Sequence, residues 1–257
     1  MKKKILYIFF INLFILFSLS KSHSGETTCL ENKIFVENKI VFLLENKKPF
    51  NGKNKCHYES GNIRIENTYI NGLIEGVAKS WHDQKGSIKS LSFFVNGKKQ
   101  GKEKRWSIEG ELVSEVNFLD HKQHGDSTFW YKAGGKKKSQ FKYFKGVKNG
   151  NHISWFLNGN KKLEGKYING TKDGVWISWY ENGKKKSRFT YTEGAKNGVS
   201  ISWYQNGNIK AKGQFDKDIP IGKHSGWYQN GQKKIEAQFL ENQLNGAFTY
   251  WDNEGKV

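Results

Sequence analysis

The sequence has few of the residues that usually build metal sites and catalytic centres. It contains two cysteines and seven histidines, and only His121 and His124 form a close pair. Both lie in a predicted turn without a third cysteine or histidine ligand nearby, whereas zinc takes three or four protein ligands. The Gly-x-Ser-x-Gly nucleophile elbow, the phosphate loop and the His-Glu-x-x-His zinc motif do not occur. We therefore predict that the protein is not an enzyme and binds no metal or cofactor.

The sequence also lacks helical periodicity within its repeats and an apolar run long enough for a stable membrane span. No stretch of the repeats sustains apolar residues three and four positions apart, as an amphipathic helix requires. The N-terminal apolar stretch from Ile5 to Phe17 is short for a span of about 20 residues. It follows Lys2-Lys3-Lys4 and precedes small and polar residues from Ser18 to Ser24. This pattern predicts a secretory signal peptide over residues 1–24 and an exported protein; the alternative is an uncleaved N-terminal membrane anchor.

What the sequence does contain is a repeat of 24 or 25 residues. Each copy carries a tryptophan, and a glycine lies five residues before each of these tryptophans. The eight tryptophans are Trp81, Trp106, Trp130, Trp155, Trp179, Trp203, Trp227 and Trp251. Such a period indicates one supersecondary unit copied in tandem, and repeat arrays present extended surfaces. We interpret the eight side chains as the structural core of the array; the alternative is a ladder on which a ligand such as a sugar stacks.

Each repeat has the pattern of a β-hairpin. In the copy that begins at Gly174, Val175, Ile177 and Trp179 alternate with Trp176, Ser178 and Tyr180. This period of two is the spacing of a strand. Asn182-Gly183 then supplies a turn, since both residue types tolerate the positive φ angles of tight hairpins. A second alternating strand follows and closes on an aromatic residue. The sequence therefore predicts an all-β fold, in which tandem hairpins of about 24 residues form an extended antiparallel single-layer sheet.

The repeat also sets the predicted domain boundaries. Gly52 lies five residues before His57, so that His57 takes the first tryptophan position and the array begins near Ile40. We therefore predict a non-repeat segment over residues 25–39 and a repeat array over residues 40–257. In an oxidising compartment Cys29 and Cys56 could form a disulfide between these two parts. Two unrelated thiols are the alternative.

The chain is strongly basic, with a formal net charge of +19. Lysines cluster just after the turn that follows the tryptophan of a repeat, which we call the tryptophan-side turn. Because the unit repeats, these clusters should stack along one edge of the sheet. This lysine ridge consists of Lys136, Lys137, Lys138, Lys161, Lys162, Lys184, Lys185, Lys186, Lys233 and Lys234. Such a ridge attracts anionic lipid or acidic polysaccharide, or it only keeps a sheet protein soluble and its edges unpaired. We do not expect nucleic acid as a partner of an exported protein.

The turn-to-turn pattern Tyr-x-Asn-Gly-x-x-Lys followed by Tyr-x-x-Gly-x-x-x-Gly resembles the bacterial variant of the MORN repeat. The segment Pro49-Phe50-Asn51-Gly52-Lys53, which runs on to His57-Tyr58-Glu59-Ser60-Gly61, looks like the start of the array in the YwqK family. Proteins of that family are usually named as antitoxins of toxin–antitoxin systems. The resemblance covers about residues 40–257. It implies an open antiparallel sheet that binds proteins or membranes, and it brings no catalytic residues.

Two functional hypotheses follow. The first is an exported, non-enzymatic β-repeat scaffold that binds a protein partner or an anionic cell surface. The second is an antitoxin or immunity-type protein, although the signal peptide fits poorly with a cytoplasmic antitoxin. The strand from Ala247 to Asp252 is also expected to lack its hairpin partner, because only Lys256 and Val257 follow the last turn. Its unpaired backbone groups would then accept an added strand from a partner or from a second copy of the protein.

Overall fold

The computed structural model describes residues 27–132 and 134–257. The predicted signal peptide lies outside these residues. The strands are β1 (Thr27–Thr28), β2 (Ile34–Glu37), β3 (Ile40–Leu43), β4 (Gly52–His57), β5 (Ile63–Ile70), β6 (Leu73–Trp81), β7 (Ile88–Val95), β8 (Lys98–Trp106), β9 (Leu112–Leu119), β10 (Lys122–Trp130), β11 (Lys137–Phe144), β12 (Val147–Trp155), β13 (Lys161–Ile168), β14 (Thr171–Trp179), β15 (Lys185–Thr192), β16 (Ala195–Lys196), β17 (Gly198–Trp203), β18 (Ile209–Asp216), β19 (Ile219–Trp227), β20 (Lys233–Leu240) and β21 (Gln243–Tyr250). A search of the described residues finds no helix with the length and apolar character needed to cross a membrane.

One large sheet contains nearly all of these strands. β1 and β4 to β21 form a 19-stranded sheet, and β2 and β3 form a separate antiparallel pair. From β4 onwards successive strands pair antiparallel, as in β4 with β5, β5 with β6 and β20 with β21, except that β16 and β17 both pair with β15. β1 differs, since it pairs with β4 in parallel. The predicted all-β fold of tandem hairpins in an extended antiparallel sheet is confirmed.

The hairpins are connected by two kinds of turn, and the tryptophan-side turn is not the tight turn expected at Asn182-Gly183. The tight turns with two successive positive φ angles lie on the side away from the tryptophans, as at Asn169 (48°) and Gly170 (87°). These angles are typical of type I′ hairpin turns, whose twist matches that of the strands. At the tryptophan-side turn, Gly183 has a φ of 84° but Asn182 does not have a positive φ. There Tyr180 N–H donates to the Lys184 carbonyl over 2.8 Å, which closes a longer loop than the sequence pattern suggested.

The glycine of each repeat lies at a bulge in the first strand of the hairpin. Gly174 has a φ of 69°, and the register between β13 and β14 shifts between Glu164 and Lys166. A side chain at this φ would be strained, whereas glycine adopts it freely. A Cβ built on Gly174 would meet no atom within 4 Å. The glycine is therefore required by the backbone conformation of the bulge and not by lack of space.

The two faces of the sheet differ in burial. The Trp176 face carries the second residue after each repeat glycine, and four of these side chains in consecutive repeats are among the most buried of the described residues. They are Ser127 (1% exposed), His152 (8%), Trp176 (2%) and Ser200 (9%). The Trp179 face carries Val175 and Val199, which are 40% and 38% exposed. Burial on the Trp176 face comes from side chains in neighbouring strands of the same sheet.

The eight repeated tryptophans are only partly buried. Each of them has intermediate exposure, and the tryptophan with a buried side chain is Trp176, which is not one of the eight. Trp179 lies on the more exposed face, where Lys161 Nζ is 5.8 Å from the centre of its ring. In a single-layer sheet this face has only the turns and long side chains to cover it. The structure therefore places the most buried row on the face opposite to the one that the tryptophan repeat suggested.

The N-terminal segment packs on the first hairpin of the array. Leu30, Val41 and Phe50 are 3%, 8% and 4% exposed and form a small hydrophobic core, against which Tyr69 packs. The predicted domain boundary at residue 40 falls at the start of β3, within the β2–β3 hairpin, and the repeating hairpins begin at Gly52. This segment covers the side of β4 that would otherwise form the N-terminal edge of the sheet, as edge strands commonly require.

Candidate binding surfaces

A ladder of hydrogen bonds runs along the tryptophan-side edge of the sheet. In most repeats the residue after the tryptophan bonds to the carbonyl oxygen of the tryptophan in the next repeat; the residues after Trp106 and Trp155, Ser107 and Phe156, do not. Tyrosine hydroxyls donate in five of these bonds: Tyr58 to Trp81 (2.8 Å), Tyr131 to Trp155 (2.8 Å), Tyr180 to Trp203 (2.8 Å), Tyr204 to Trp227 (2.8 Å) and Tyr228 to Trp251 (3.0 Å). The turns of successive hairpins are thereby held in a line, which fixes the spacing of whatever else they carry.

The lysine ridge lies along this edge, and nearly all of its members are exposed. In the repeats that carry it, the structure places a lysine ammonium over the ring that follows the tryptophan. These pairs are Lys138 with Tyr131 (5.8 Å), Lys162 with Phe156 (5.5 Å), Lys186 with Tyr180 (5.7 Å), Lys210 with Tyr204 (5.6 Å) and Lys234 with Tyr228 (5.2 Å). Equivalent strands are two apart, which spaces these charges by about 10 Å. Lys210 was missed because a single lysine there replaces the pair that marks the other repeats, although its offset from the tryptophan is the same.

Two ridge lysines are partly neutralised by carboxylates. Lys161 Nζ lies 2.9 Å from the Glu164 carboxylate, and Lys233 forms an ion pair with Glu236. Hydrogen bonds from Lys223 and Lys233 lower the pKa of Glu236 below its usual value. Exposed pairs of this kind contribute little to stability. The remaining ridge lysines make no ion pair among the described residues, so the ridge keeps most of its positive charge.

A second set of lysines lies on the Trp176 face, and sequence reasoning missed it. Each member stands two residues before the repeat glycine, and its ammonium lies over two aromatic rings. The contacts are Lys99 over Phe94 and Phe118, Lys148 over Phe141 and Tyr167, Lys172 over Trp176 and Tyr191, and Lys196 over Phe189 and Phe215, at 4.7 to 5.8 Å. Cation–π contacts of this kind stabilise by about 0.5–2 kcal/mol each. The constant offset from the glycine is the signal that could have identified this row.

At one end of this row a carboxylate is buried. Glu103 is 5% exposed, and it forms ion pairs with Lys99 and, over 2.6 Å, with Arg105. Ser92 Oγ donates a further hydrogen bond to it over 3.0 Å. Burial alone would raise the pKa of Glu103, but the hydrogen bonds and positive charges of its partners lower it overall. Since all of these groups satisfy one another, the cluster serves packing and offers no free acid or base.

His152 occupies the middle of the buried row. Its ring stacks on Phe141 with centroids 4.2 Å apart, and its Nδ1 has no hydrogen-bond partner. Burial, together with the nearby charges of Lys148 and Lys172, lowers the pKa of His152 to about 4. The imidazole is therefore neutral at pH 7. It is an apolar packing element at this pH and not a proton donor.

The structure joins Cys29 and Cys56 in a disulfide. Cys56 is 1% exposed, and the bond ties the N-terminal segment to the first strand of the array. Glu31 lies near both sulfur atoms. Among the described residues, Cys29, Glu31 and Cys56 are the one group of potential metal ligands that lie close enough together to hold a metal ion. Both sulfurs are used by the disulfide, so the group does not offer thiolate ligands in this state.

Comparison with known proteins identifies the repeat. Three segments of the chain match the MORN repeat variant. They are residues 50–71, 172–193 and 196–217, and each spans one hairpin joined by a tryptophan-side turn. The MORN-type match thus agrees with the hairpin as the repeating unit. No curated protein matches the chain.

A solved structure described as "Crystal Structure of TcdB2-TccC3-Cdc42" aligns with 80% of this chain at 10% identity. The aligned part is 16% of the length of that chain, and the TM-score is 0.16. A likeness at this level carries no argument about fold or function.

Proposed function

We propose that the protein is an exported, non-enzymatic β-repeat scaffold that binds a protein partner or an anionic cell surface. The observation that carries this proposal is the alignment of the lysine ridge along one edge of the sheet. The ladder of tyrosine hydrogen bonds holds the turns in register. The ridge therefore presents its charges at a regular spacing before it binds, and the turns do not have to become ordered on binding. A pre-organised row of charges binds an extended anionic surface at a lower entropic cost than flexible side chains would.

Co-sedimentation with vesicles tests the anionic-surface part of this proposal. Vesicles that contain anionic lipid should retain the protein at low salt, release most of it at physiological salt, and bind it far more than neutral vesicles do, because screening weakens exposed charge interactions. Replacement of six ridge lysines by glutamine should abolish the binding; these are Lys136, Lys137, Lys138, Lys184, Lys185 and Lys186. A control with the same loss of charge replaces Lys33, Lys39, Lys47, Lys48, Lys53 and Lys122, which are exposed elsewhere. Equal binding by the two variants would contradict a specific role of the ridge.

Export is tested by fractionating the native cell. We expect the mature chain outside the cytoplasm, with an N-terminus close to the predicted cleavage site after residue 24. Recovery of the uncleaved chain in the membrane fraction would favour the N-terminal anchor instead. Recovery of the full chain from the cytoplasm would contradict export. A pull-down from the exported fraction then identifies the bound protein.

The antitoxin reading is the second candidate, and the YwqK-like segment from Pro49 to Lys53 favours it. That segment includes the start of the first MORN-type match at residues 50–71. Its test is genetic: deletion of the gene should be toxic, and the toxicity should disappear when a neighbouring toxin gene is deleted with it. Viable deletion strains without a growth defect would argue against this function.

A further inference from the structure

A groove of about 490 Å³ lies on the Trp176 face near the C-terminal end of the array. Four small residues line it on two paired strands, β17 and β18: Ser200 faces Gly213, and Ser202 faces Ala211. Aromatic rings from neighbouring strands also line the groove, among them Phe189, Phe215, His224 and Phe239. The groove is therefore a ring-lined depression in a face that is otherwise filled by its own side chains.

The groove exists because this part of the array has smaller side chains than the corresponding positions of earlier repeats. Ser200 stands where the preceding repeat has Trp176, which is 2% exposed. Ala211 stands where an earlier repeat has Leu163. Ser202 stands where another repeat has Phe129. The missing volume coincides in two adjacent strands, so the small residues leave one continuous space.

The groove is mostly apolar, and two lysines contribute positive charge: Lys212 is among its lining residues, and Lys196 lies at its side. Ser200 Oγ is directed to the Gly213 carbonyl at 3.5 Å, so it offers little to a ligand. The Lys196 ammonium lies 5.3 Å from the ring centre of Phe189 and 5.2 Å from that of Phe215, two of the lining rings. Among the described residues no carboxylate lies within ion-pair distance of Lys196 Nζ. The Asp218 carboxylate instead accepts a hydrogen bond from the backbone N–H of Lys196 over 3.0 Å, so the ammonium is not held in an ion pair.

We propose that this groove binds a small amphipathic anion, with an apolar chain along Ser200, Ser202 and Ala211, beside the His224 ring that covers Gly213, and a carboxylate beside Lys196. Its volume falls within the range of about 300–1,000 Å³ that is typical of small-molecule sites, which are mostly apolar with a few orienting polar groups. The size and the mostly apolar lining fit a medium-chain carboxylate better than a polyanion. The site is on a different surface from the lysine ridge and does not rest on the function proposed for that ridge.

Calorimetric titration of the full chain with decanoate tests the proposal. We expect one saturable site per chain. Ala211→Leu introduces the residue that an earlier repeat has at this position and should weaken binding about tenfold or more by filling the groove. Lys196→Gln introduces a glutamine, the residue type found at the equivalent position of an earlier repeat (Gln123), and should weaken binding a few-fold. The matched control is Lys172→Gln, which removes the same charge one repeat away and should leave decanoate binding unchanged.

A neutral ligand separates the two parts of the site. The unaltered protein should bind decanol more weakly than decanoate. The Lys196→Gln variant should bind the two ligands equally, because neither of them can then pair with the ammonium of Lys196. If Ala211→Leu does not fold, judged by circular dichroism, Ser202→Phe fills the same space. Absence of saturable decanoate binding would overturn the proposal. So would binding that neither filling variant weakens, or a loss of affinity in Lys172→Gln equal to that in Lys196→Gln.

Discussion

The indole ring of Trp176 lies directly over Gly165 of the neighbouring strand. A Cβ built on Gly165 would overlap three carbon atoms of that ring. His224 lies over Gly213 in the same way two repeats later. At these two places a large ring in one strand is matched by a glycine in the adjacent strand, and at Gly165 this matching lets a single-layer sheet bury a tryptophan.

Gly165→Ala should therefore destabilise the fold although the backbone at this position is open to any residue. The added methyl group has to displace a buried ring, and overpacking of this kind costs about 1–3 kcal/mol. Urea denaturation should show a lower midpoint with an unchanged slope. Lys166→Ala, an exposed neighbour in the same strand, is the control and should shift the midpoint little. Equal midpoints for Gly165→Ala and the parent would show that the ring moves without cost.

Trp176→Ala should destabilise more than Trp179→Ala. Trp176 is 2% exposed, so its truncation leaves a cavity that costs about 3–5 kcal/mol. Trp179 is partly exposed and should cost less, since water replaces part of its contacts. Denaturation midpoints of the two variants, with Lys185→Ala as the surface control, test the order. A larger loss for Trp179→Ala would mean that the tryptophan repeat, and not the Trp176 row, forms the core.

The sequence predicts the repeating unit well but not the face that it buries. The regular spacing of Trp155, Trp179 and Trp203 and the alternation around them predict antiparallel hairpins, which the structure confirms. In a single-layer sheet, however, alternation identifies two faces without telling which one is better covered. The answer depends on partners such as Gly165 beneath Trp176, and these depend on register between strands. One-dimensional spacing does not contain that register.

The N-terminal segment and the groove were beyond sequence reasoning for a related cause. β1 pairs in parallel with β4 across more than 20 residues, and such a non-local contact leaves no local pattern. The groove requires Ser200 to face Gly213 and Ser202 to face Ala211. Each small residue alone is unremarkable in a strand. Only their pairing in the sheet turns four separate positions into a space.

Acid should destabilise the array through His152. Its pKa is lowered to about 4 in the folded protein, whereas an unfolded histidine titrates near 6.5. Between these values the unfolded chain binds the additional proton, so the stability conferred by neutral His152 is complete above about pH 6.5 and is lost as the pH falls towards 4. Denaturation of the parent should depend on pH in this window more steeply than that of His152→Gln. A His152 resonance, assigned by its absence from His152→Gln, that titrates near pH 6.5 in the folded protein would contradict this.

The last strand, β21, should mediate self-association. It pairs with β20 along one side, and among the described residues no strand pairs with its other side. Leu244, Phe248 and Tyr250 are 57%, 55% and 49% exposed there, so apolar side chains accompany free backbone donors and acceptors. A second copy could add its own β21 antiparallel to this one, which pairs both edges at once and closes the assembly as a two-fold dimer. We expect a monomer–dimer equilibrium in sedimentation experiments, and Phe248→Lys or deletion of residues 247–257 should abolish it.

Val175→Lys, at an exposed position of an interior strand, should leave it intact. A concentration-independent monomer, with rapid amide exchange throughout β21, would instead show that the strand frays and that Trp251 is merely the most exposed of the eight repeated tryptophans.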